Sequence, residues 1–286
     1  MAFIVAEIGV NFKDIPEAGM MIWFAKQAGA DAVKFQVYNK ENLHKVFPSG
    51  DVLKNPKSEE LVKIMLDKDK LQCLKTVADD IGIEFFATPM FIEAVDWLYE
   101  IGVKRYKIRY ADRNNKGLIN KALSTGKQVI ISSDFQNKDN GVLSSNDSIC
   151  LMYCIPEYPP ESVNMPQVFG VCEGYSKPHT SETTAGIFRA RYPEFFEGYS
   201  NHYPSITVPF VAAARGAKII EVHVKQEGTK PIDDAVSITF EELEELVKLV
   251  REMEEIDDAV SIASQKLDEI TRSVREMEEA IQWAQF

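Results

Sequence analysis

A chain of 286 residues can form one large α/β barrel or two ordinary domains, and 45% hydrophobic with 27% charged residues is the composition of a globular protein with a sizeable core. A formal net charge of -12 argues against nucleic-acid or anionic-membrane binding, so an anionic ligand would need a local cluster of Lys and Arg. No stretch approaches the roughly 18–20 consecutive apolar residues of a membrane span.

The opening MAFIVAEIGVNF has no basic flank and is interrupted by Glu7, so it reads as a first β-strand and not as a signal peptide. It is the first of eight short apolar runs, at residues 3–9, 32–38, 84–90, 105–111, 128–134, 148–154, 197–202 and 218–224. Most are near-continuous apolar strings, as strands buried on both faces are. Helical spacing fills residues 16–29, 58–81, 91–102, 115–126 and 240–253, several with a closing Gly. The alternation predicts a (β/α)8 TIM barrel over residues 1–256. The main rival, a doubly wound open sheet, is disfavoured because the first turn, Gly9-Val10-Asn11-Phe12, has no GxGxxG phosphate loop.

The interval after the sixth run is long and polar, and its EGYSKPHTS at residues 173–181 resembles EGYSNHYPS at 197–205. This reads as a chance likeness in a surface loop, with His179 a solvated loop residue, the alternative being a loop over the barrel mouth that brings His179 to it as a third imidazole. Cys73, Cys150, Cys154 and Cys172 show no CxxC spacing and read as buried free thiols in a reducing cytoplasm. After the barrel, Val260, Ala263, Leu267, Ile270, Val274, Met277, Ile281 and Ala284 recur at alternating spacings of three and four. That is a heptad seam, so residues 257–286 are expected to form a separate long amphipathic helix that joins subunits into a homo-oligomer, with a helix lying across the barrel as the alternative.

In a barrel of this kind the chemistry projects from the C-terminal strand ends. Read in order, these supply Glu7, Lys34 and Gln36, Thr88, Lys107 and Arg109, Ser132 and Ser133, Cys154 and Tyr158, Ser200 and His202, then Glu221 and His223. A lysine inside an apolar strand is costly without a partner, so Lys34 and Lys107 are read as anion binders, with a structural salt bridge as the alternative. His202 and His223 close successive strands and are read as ligands of one divalent metal. Glu221 is expected on the opposite side of its strand from His223, as a structural group.

Together AEIGVNF, GADAVKFQ, FFATPM, YKI, VIISS, YCIPEYPPESVN, GYSNH, GAKIIEVH and PIDDAVSIT resemble the catalytic barrel of the N-acetylneuraminate (sialic acid) synthase family over roughly residues 3–255. The resemblance implies a cytoplasmic transferase that condenses phosphoenolpyruvate with an N-acyl amino sugar and releases phosphate. It implies Mn2+ at His202 and His223, with Mg2+ or Zn2+ as alternatives. Glu7, Gln36, Tyr158 and Asp234 would face the sugar, and Lys34, Thr88, Lys107, Ser132 and Ser200 would hold phosphoenolpyruvate. In the implied reaction the sugar aldehyde, polarised by the metal, is attacked by the enol carbon, and water captures the oxocarbenium ion before phosphate leaves.

The sequence departs from the family pattern at Tyr110, where a serine is usual, at Pro156 for Asn, at Asn201 for Asp and at Phe12 for His. Arg109 could compensate as an anion binder. The family's C-terminal antifreeze-like domain has no counterpart before Phe286. Two other readings stand beside this one: Tyr110 and Pro156 leave a metal-dependent aldolase or lyase acting on a sugar or keto acid, and the heptad helix leaves a non-catalytic interaction protein.

Overall fold

The computed structural model of the chain describes residues 1–45, 57–134, 143, 146–160 and 196–283. Eight parallel strands, β1 (Phe3–Gly9), β2 (Ala32–Val37), β3 (Glu84–Pro89), β4 (Arg105–Ile108), β5 (Gln128–Ser133), β6 (Ile149–Cys154), β7 (Gly198–Asn201) and β8 (Ile219–Lys225), pair in sequence order. β1 also pairs with β8, which closes the barrel. A two-residue strand, β9 (Ile238–Thr239), pairs in parallel alongside the end of β8. The expected eight-stranded barrel is therefore the fold, with strand limits within a few residues of the apolar runs.

Around it lie α1 (Ile15–Gln27), α2 (Lys57–Lys63), α3 (Lys68–Ile81), α4 (Ile92–Glu100), α5 (Lys116–Leu123), α6 (Thr207–Ala214) and α7 (Phe240–Trp283). The single helix expected at 58–81 is two, the first ending at Lys63 and the second starting after Asp67, whose backbone is extended and whose carboxylate accepts the Lys70 amide at 2.9 Å. α3 turns Leu71, Leu74 and Ala78 to the core and leaves Cys73 exposed, so the expectation that this thiol is buried is corrected. Cys150 and Cys154 are buried. Cys172 and residues 173–181, with His179, lie outside the described residues.

α7 opens with a capping box, in which Thr239 Oγ1 accepts the Glu242 amide at 3.2 Å and a Glu242 carboxylate oxygen accepts the Thr239 amide at 2.8 Å. Leu243, Leu246, Val247 and Val250 are buried against the barrel. Arg251 then ties the helix to the Ala2 carbonyl at 2.7 Å and to Asp31 at 2.8 Å. The helix continues without a break, so the segment expected to begin at 257 is the prolongation of the eighth barrel helix. No Gly or Pro interrupts it, and nothing else would end it. Along this prolongation Val260 is 63% exposed and Leu267 64% exposed.

Candidate active site

Strand register sets the site. Glu7 stands opposite Lys34 on β2 and His223 on β8, Gln36 opposite Thr88, and Ser200 opposite both Cys154 and Glu221. Neighbouring inward side chains therefore come to similar heights at the C-terminal mouth, around a cavity of about 410 Å3. Of the residues singled out from the sequence, Glu7, Lys34, Gln36, Thr88, Lys107, Arg109, Ser132, Tyr158, Ser200, His202 and His223 all line it.

Asp234 does not. Its carboxylate turns outward to Lys225 Nζ at 2.7 Å, and the adjacent Asp233 lines the cavity, with Oδ2 3.3 Å from His223 Nδ1. The side chain of Asn11 holds this segment in place. Its Oδ1 accepts the Asp233 amide, and its Nδ2 donates to the Val224 carbonyl and to Ser237 Oγ, each at 2.9 Å.

Glu221 is the second correction. Residues two apart on a strand share a face, so Glu221 enters the cavity beside His223, opposite to what was expected. Lys107 Nζ, reaching across the barrel from β4, donates to its two oxygens at 3.0 and 2.9 Å, and Ser200 Oγ donates at 2.9 Å. Lys34 Nζ lies 2.9 Å from Glu7, 3.7 Å from Glu221 and 3.1 Å from Thr88 Oγ1. Two ammonium groups and two carboxylates thus form one buried chain, Glu7–Lys34–Glu221–Lys107, so both lysines are ion-paired within the wall of the cavity.

The charges respond to this packing. Burial alone would raise the Glu221 pKa, but Lys107 and Lys34 hold the carboxyl well below the usual range. Burial raises that of Glu7, with Lys34 opposing and Glu221 reinforcing. For Lys34 burial favours the neutral form, and the two carboxylates outweigh it, so its pKa is raised.

His202 and His223 lie 5.5 Å apart between ring centroids. His202 Nδ1 is 2.8 Å from the Ile155 carbonyl, which can only accept, so Nδ1 carries the hydrogen and Nε2 presents its lone pair. Burial, reinforced by the charge on His223, pushes the His202 pKa down to about 3. The Tyr158 hydroxyl donates to that Nε2 at 2.9 Å, and its ring packs on the imidazole at 4.0 Å between centroids. Burial opposes a proton on His223, but Asp233, with Glu7 and Glu221, outweighs it and raises the pKa. The His223–Asp233 contact is close enough for charge attraction, yet Nδ1 makes no directed hydrogen bond.

A neutral imidazole with its tautomer fixed from behind by a carbonyl is the form that ligates a metal. His202 meets this condition, whereas His223, whose raised pKa favours a proton and whose Nδ1 has no directed hydrogen bond, would have to give up that proton to serve as a second nitrogen ligand. Among the described residues no group of three or more His, Cys, Asp or Glu side chains is placed to hold a metal ion.

The departures sort by position. Tyr110 and Pro156 line the cavity, and the Tyr110 hydroxyl donates to Asp134 at 2.5 Å. The Arg113 guanidinium lies 3.8 Å from the centre of the Tyr110 ring. Arg109 also lines the cavity while pairing with Asp112 at 2.6 Å. Asn201 is buried outside the lining, donating from Nδ2 to the Tyr203 carbonyl at 2.6 Å, which an aspartate cannot do. Phe12 packs edge-on against Phe35 and does not line this cavity.

Fold and site together define a (β/α)8 barrel whose mouth brings buried lysine–carboxylate pairs and two imidazoles to one cavity. The chain belongs to the NeuB family, whose model matches residues 21–261. It is 32% identical over 268 residues to human N-acetylneuraminate-9-phosphate synthase, covering 88% of this chain and 70% of that protein. It is 30% identical over 274 residues to N,N'-diacetyllegionaminic acid synthase of Legionella pneumophila, covering 88% of this chain and 72% of that one. The crystal structure of N-acetylneuraminic acid synthetase from Leptospira borgpetersenii superposes with a TM-score of 0.71 at 30% identity, over 89% of this chain and 84% of that one.

Proposed function

We propose that this protein is a nonulosonic acid synthase that joins phosphoenolpyruvate to an N-acyl amino sugar and releases phosphate. The observation that carries this reading is the buried chain Glu7–Lys34–Glu221–Lys107 facing His202 and His223 across one cavity, in a member of the NeuB family. Relatives named for N-acetylneuraminate 9-phosphate, diacetyllegionaminic acid and pseudaminic acid synthesis support it.

In this mechanism Lys34 and Lys107 offset the carboxylate and phosphate charge of phosphoenolpyruvate, with Thr88, Ser132 and Ser200 as hydroxyl partners and Arg109 at the rim. Gln36, Tyr158 and Asp233 orient the sugar. Carbon 3 of phosphoenolpyruvate bonds to the sugar aldehyde carbon, water adds to carbon 2, and the bond from carbon 2 to the bridging oxygen then breaks to release phosphate. A divalent metal held by His202 and His223, with Mn2+ the first choice, would supply Lewis-acid polarisation of the aldehyde. The raised pKa of Glu7 suits it to hold a proton beside the reacting oxygens.

Buried thiols at Cys150 and Cys154 suit a reducing cytoplasm, and no helix among the described residues is long and apolar enough to cross a membrane. The exposed seam at Val260 and Leu267 suits pairing with a second copy of the chain.

The test is phosphate release by metal-loaded protein given phosphoenolpyruvate and a panel of N-acyl hexosamines. Release should require both substrates, and silence across the panel would count against the reading. A lyase is the second reading, favoured by Tyr110 in the cavity wall and by the pairing of both lysines to carboxylates.

A further inference from the structure

Exposed apolar side chains collect on two helices. Of the twelve large hydrophobic side chains that stand exposed among the described residues, Met20, Trp23 and Phe24 lie on α1 and Ile256, Val260, Ile262 and Leu267 on α7. The outward face of α1 runs through Pro16, Met20, Trp23, Phe24 and Gln27, with Gly19 among them, and it carries no charge. The helix has two charged side chains. Glu17 is buried and accepts the Lys13 amide, and Lys26 turns aside to donate to the Gly82 carbonyl at 2.9 Å. In a chain of net charge -12, an apolar and uncharged helix face marks an interaction surface.

The stripe on α7 is not turned toward its own barrel. At about 100° per residue, Val260, Ala263 and Leu267 lie roughly 120° round the helix from Leu243, Leu246, Val247 and Val250, which pack on the barrel. α7 also leaves the barrel at the N-terminal strand ends, where Arg251 holds the Ala2 carbonyl and Asp31, so its prolongation runs away from the mouth.

The two stripes are complementary in size. Read antiparallel, the spacing from 263 to 267 matches that from 23 to 19. Ala263 then falls against Trp23, and Leu267 against Gly19, where nothing outside the helix backbone lies within 4 Å of the Cβ position. Large against small is how packed helix faces interdigitate, whereas the seam paired with itself in parallel would set Ala263 against Ala263 and leave a gap. The borders agree in charge. Ser264, Lys266 and Thr271 flank the seam without a carboxylate, and Glu244, one turn after the Phe240 that packs on Phe24, is exposed beside α1.

We propose that the apolar face of α1 is the docking site for the α7 prolongation of a second copy of the chain. Two chains exchange these helices about a two-fold axis, each prolongation lying antiparallel to the partner's α1. The barrels then meet by their N-terminal ends, and both mouths stay open. α1 is 13 residues long, about 20 Å, a length that residues 259–271 of the prolongation span. The proposal rests on the reading that the α7 seam pairs with a second copy, and it adds the surface on which the seam lands.

Disulfide trapping tests it, in the full-length protein with Cys73→Ser and Cys172→Ser as background. Under mild oxidation Met20→Cys/Leu267→Cys should give a covalent dimer on a non-reducing gel, and neither single variant should. A covalent dimer from Leu267→Cys alone overturns the α1 site and leaves seam-to-seam pairing standing. A disulfide within one chain, or none at all, overturns the α1 site as well. Light scattering gives a second readout without oxidation. Met20→Asp and Trp23→Asp should each halve the mass at micromolar concentration, and since these side chains are 52% and 49% exposed the barrel keeps its fold. A full mass in both, beside a halved mass for Leu267→Asp, overturns the α1 site alone. A mass that none of the three substitutions changes overturns the pairing reading with it.

Discussion

Replacing Lys107 by Met takes away the ammonium group that holds both oxygens of Glu221 at 3.0 and 2.9 Å, in a position where both side chains are almost wholly buried. Breaking a buried pair from one side costs about 3–5 kcal/mol, because the remaining charge is left uncompensated. Glu221 would keep Ser200 Oγ at 2.9 Å and Lys34 at 3.7 Å, so the loss belongs near the lower end, about 3 kcal/mol. That corresponds to a fall in Tm of roughly 6–12 °C. The pH dependence fixes the sign. The folded wild-type carboxyl of Glu221 lies below its unfolded value, so its stabilising contribution is complete above the ordinary carboxylate pKa and is lost as pH falls through the folded value. Most of that contribution comes from Lys107. The gap between wild type and variant in urea melts should therefore be widest near neutrality and should narrow as the medium becomes acidic. Adding Glu221→Gln to the variant removes the stranded charge and should return at least about 1.5 kcal/mol in a double-mutant cycle. A gap that is flat with pH, together with costs that simply add, would refute the buried ion chain.

Three further perturbations probe other parts of the account. Asn11→Ala strands the Asp233 amide and the Val224 carbonyl and should cost about 2–4 kcal/mol, with loss of turnover as Asp233 shifts, read by urea denaturation and steady-state kinetics. Gly198→Ala would set a Cβ 2.8 Å from the Ile219 carbonyl oxygen and 3.1 Å from Met152 Cε, where β7 meets β8. It should therefore destabilise by about 1–3 kcal/mol although its backbone conformation suits alanine. Leu267→Asp places a charge on the exposed seam of α7 and should halve the mass seen by light scattering without changing the barrel's melting temperature; an unchanged mass would remove the case for pairing through this helix.

Much of the barrel was legible because strands buried on both faces leave near-continuous apolar runs: residues 3–9 read directly as β1. Residues at strand ends were equally readable, since closure of the barrel forces every C-terminal end to one mouth. What escaped was local backbone chemistry and tertiary convergence. Asp67 starts a second helix within one helical stretch through a side-chain cap that the apolar periodicity does not register. Glu221 needed only the period of two from His223, a signal present in the sequence and misapplied. Asp233 and Asp234 are adjacent carboxylates, and only the fold of the segment held by Asn11 decides which one faces the cavity. The same holds for the Tyr158 hydroxyl on His202 Nε2, which depends on the loop after β6 folding back over the mouth.

The most direct test of the central claim is the mass of the product formed by metal-loaded protein from phosphoenolpyruvate and an N-acyl amino sugar, by mass spectrometry. The account predicts a single new acid that carries every carbon of the sugar plus the three of pyruvate, formed in step with one phosphate and absent with the Lys107→Met variant. Fragments smaller than the sugar, or phosphoenolpyruvate recovered intact beside an unchanged acceptor, would contradict it.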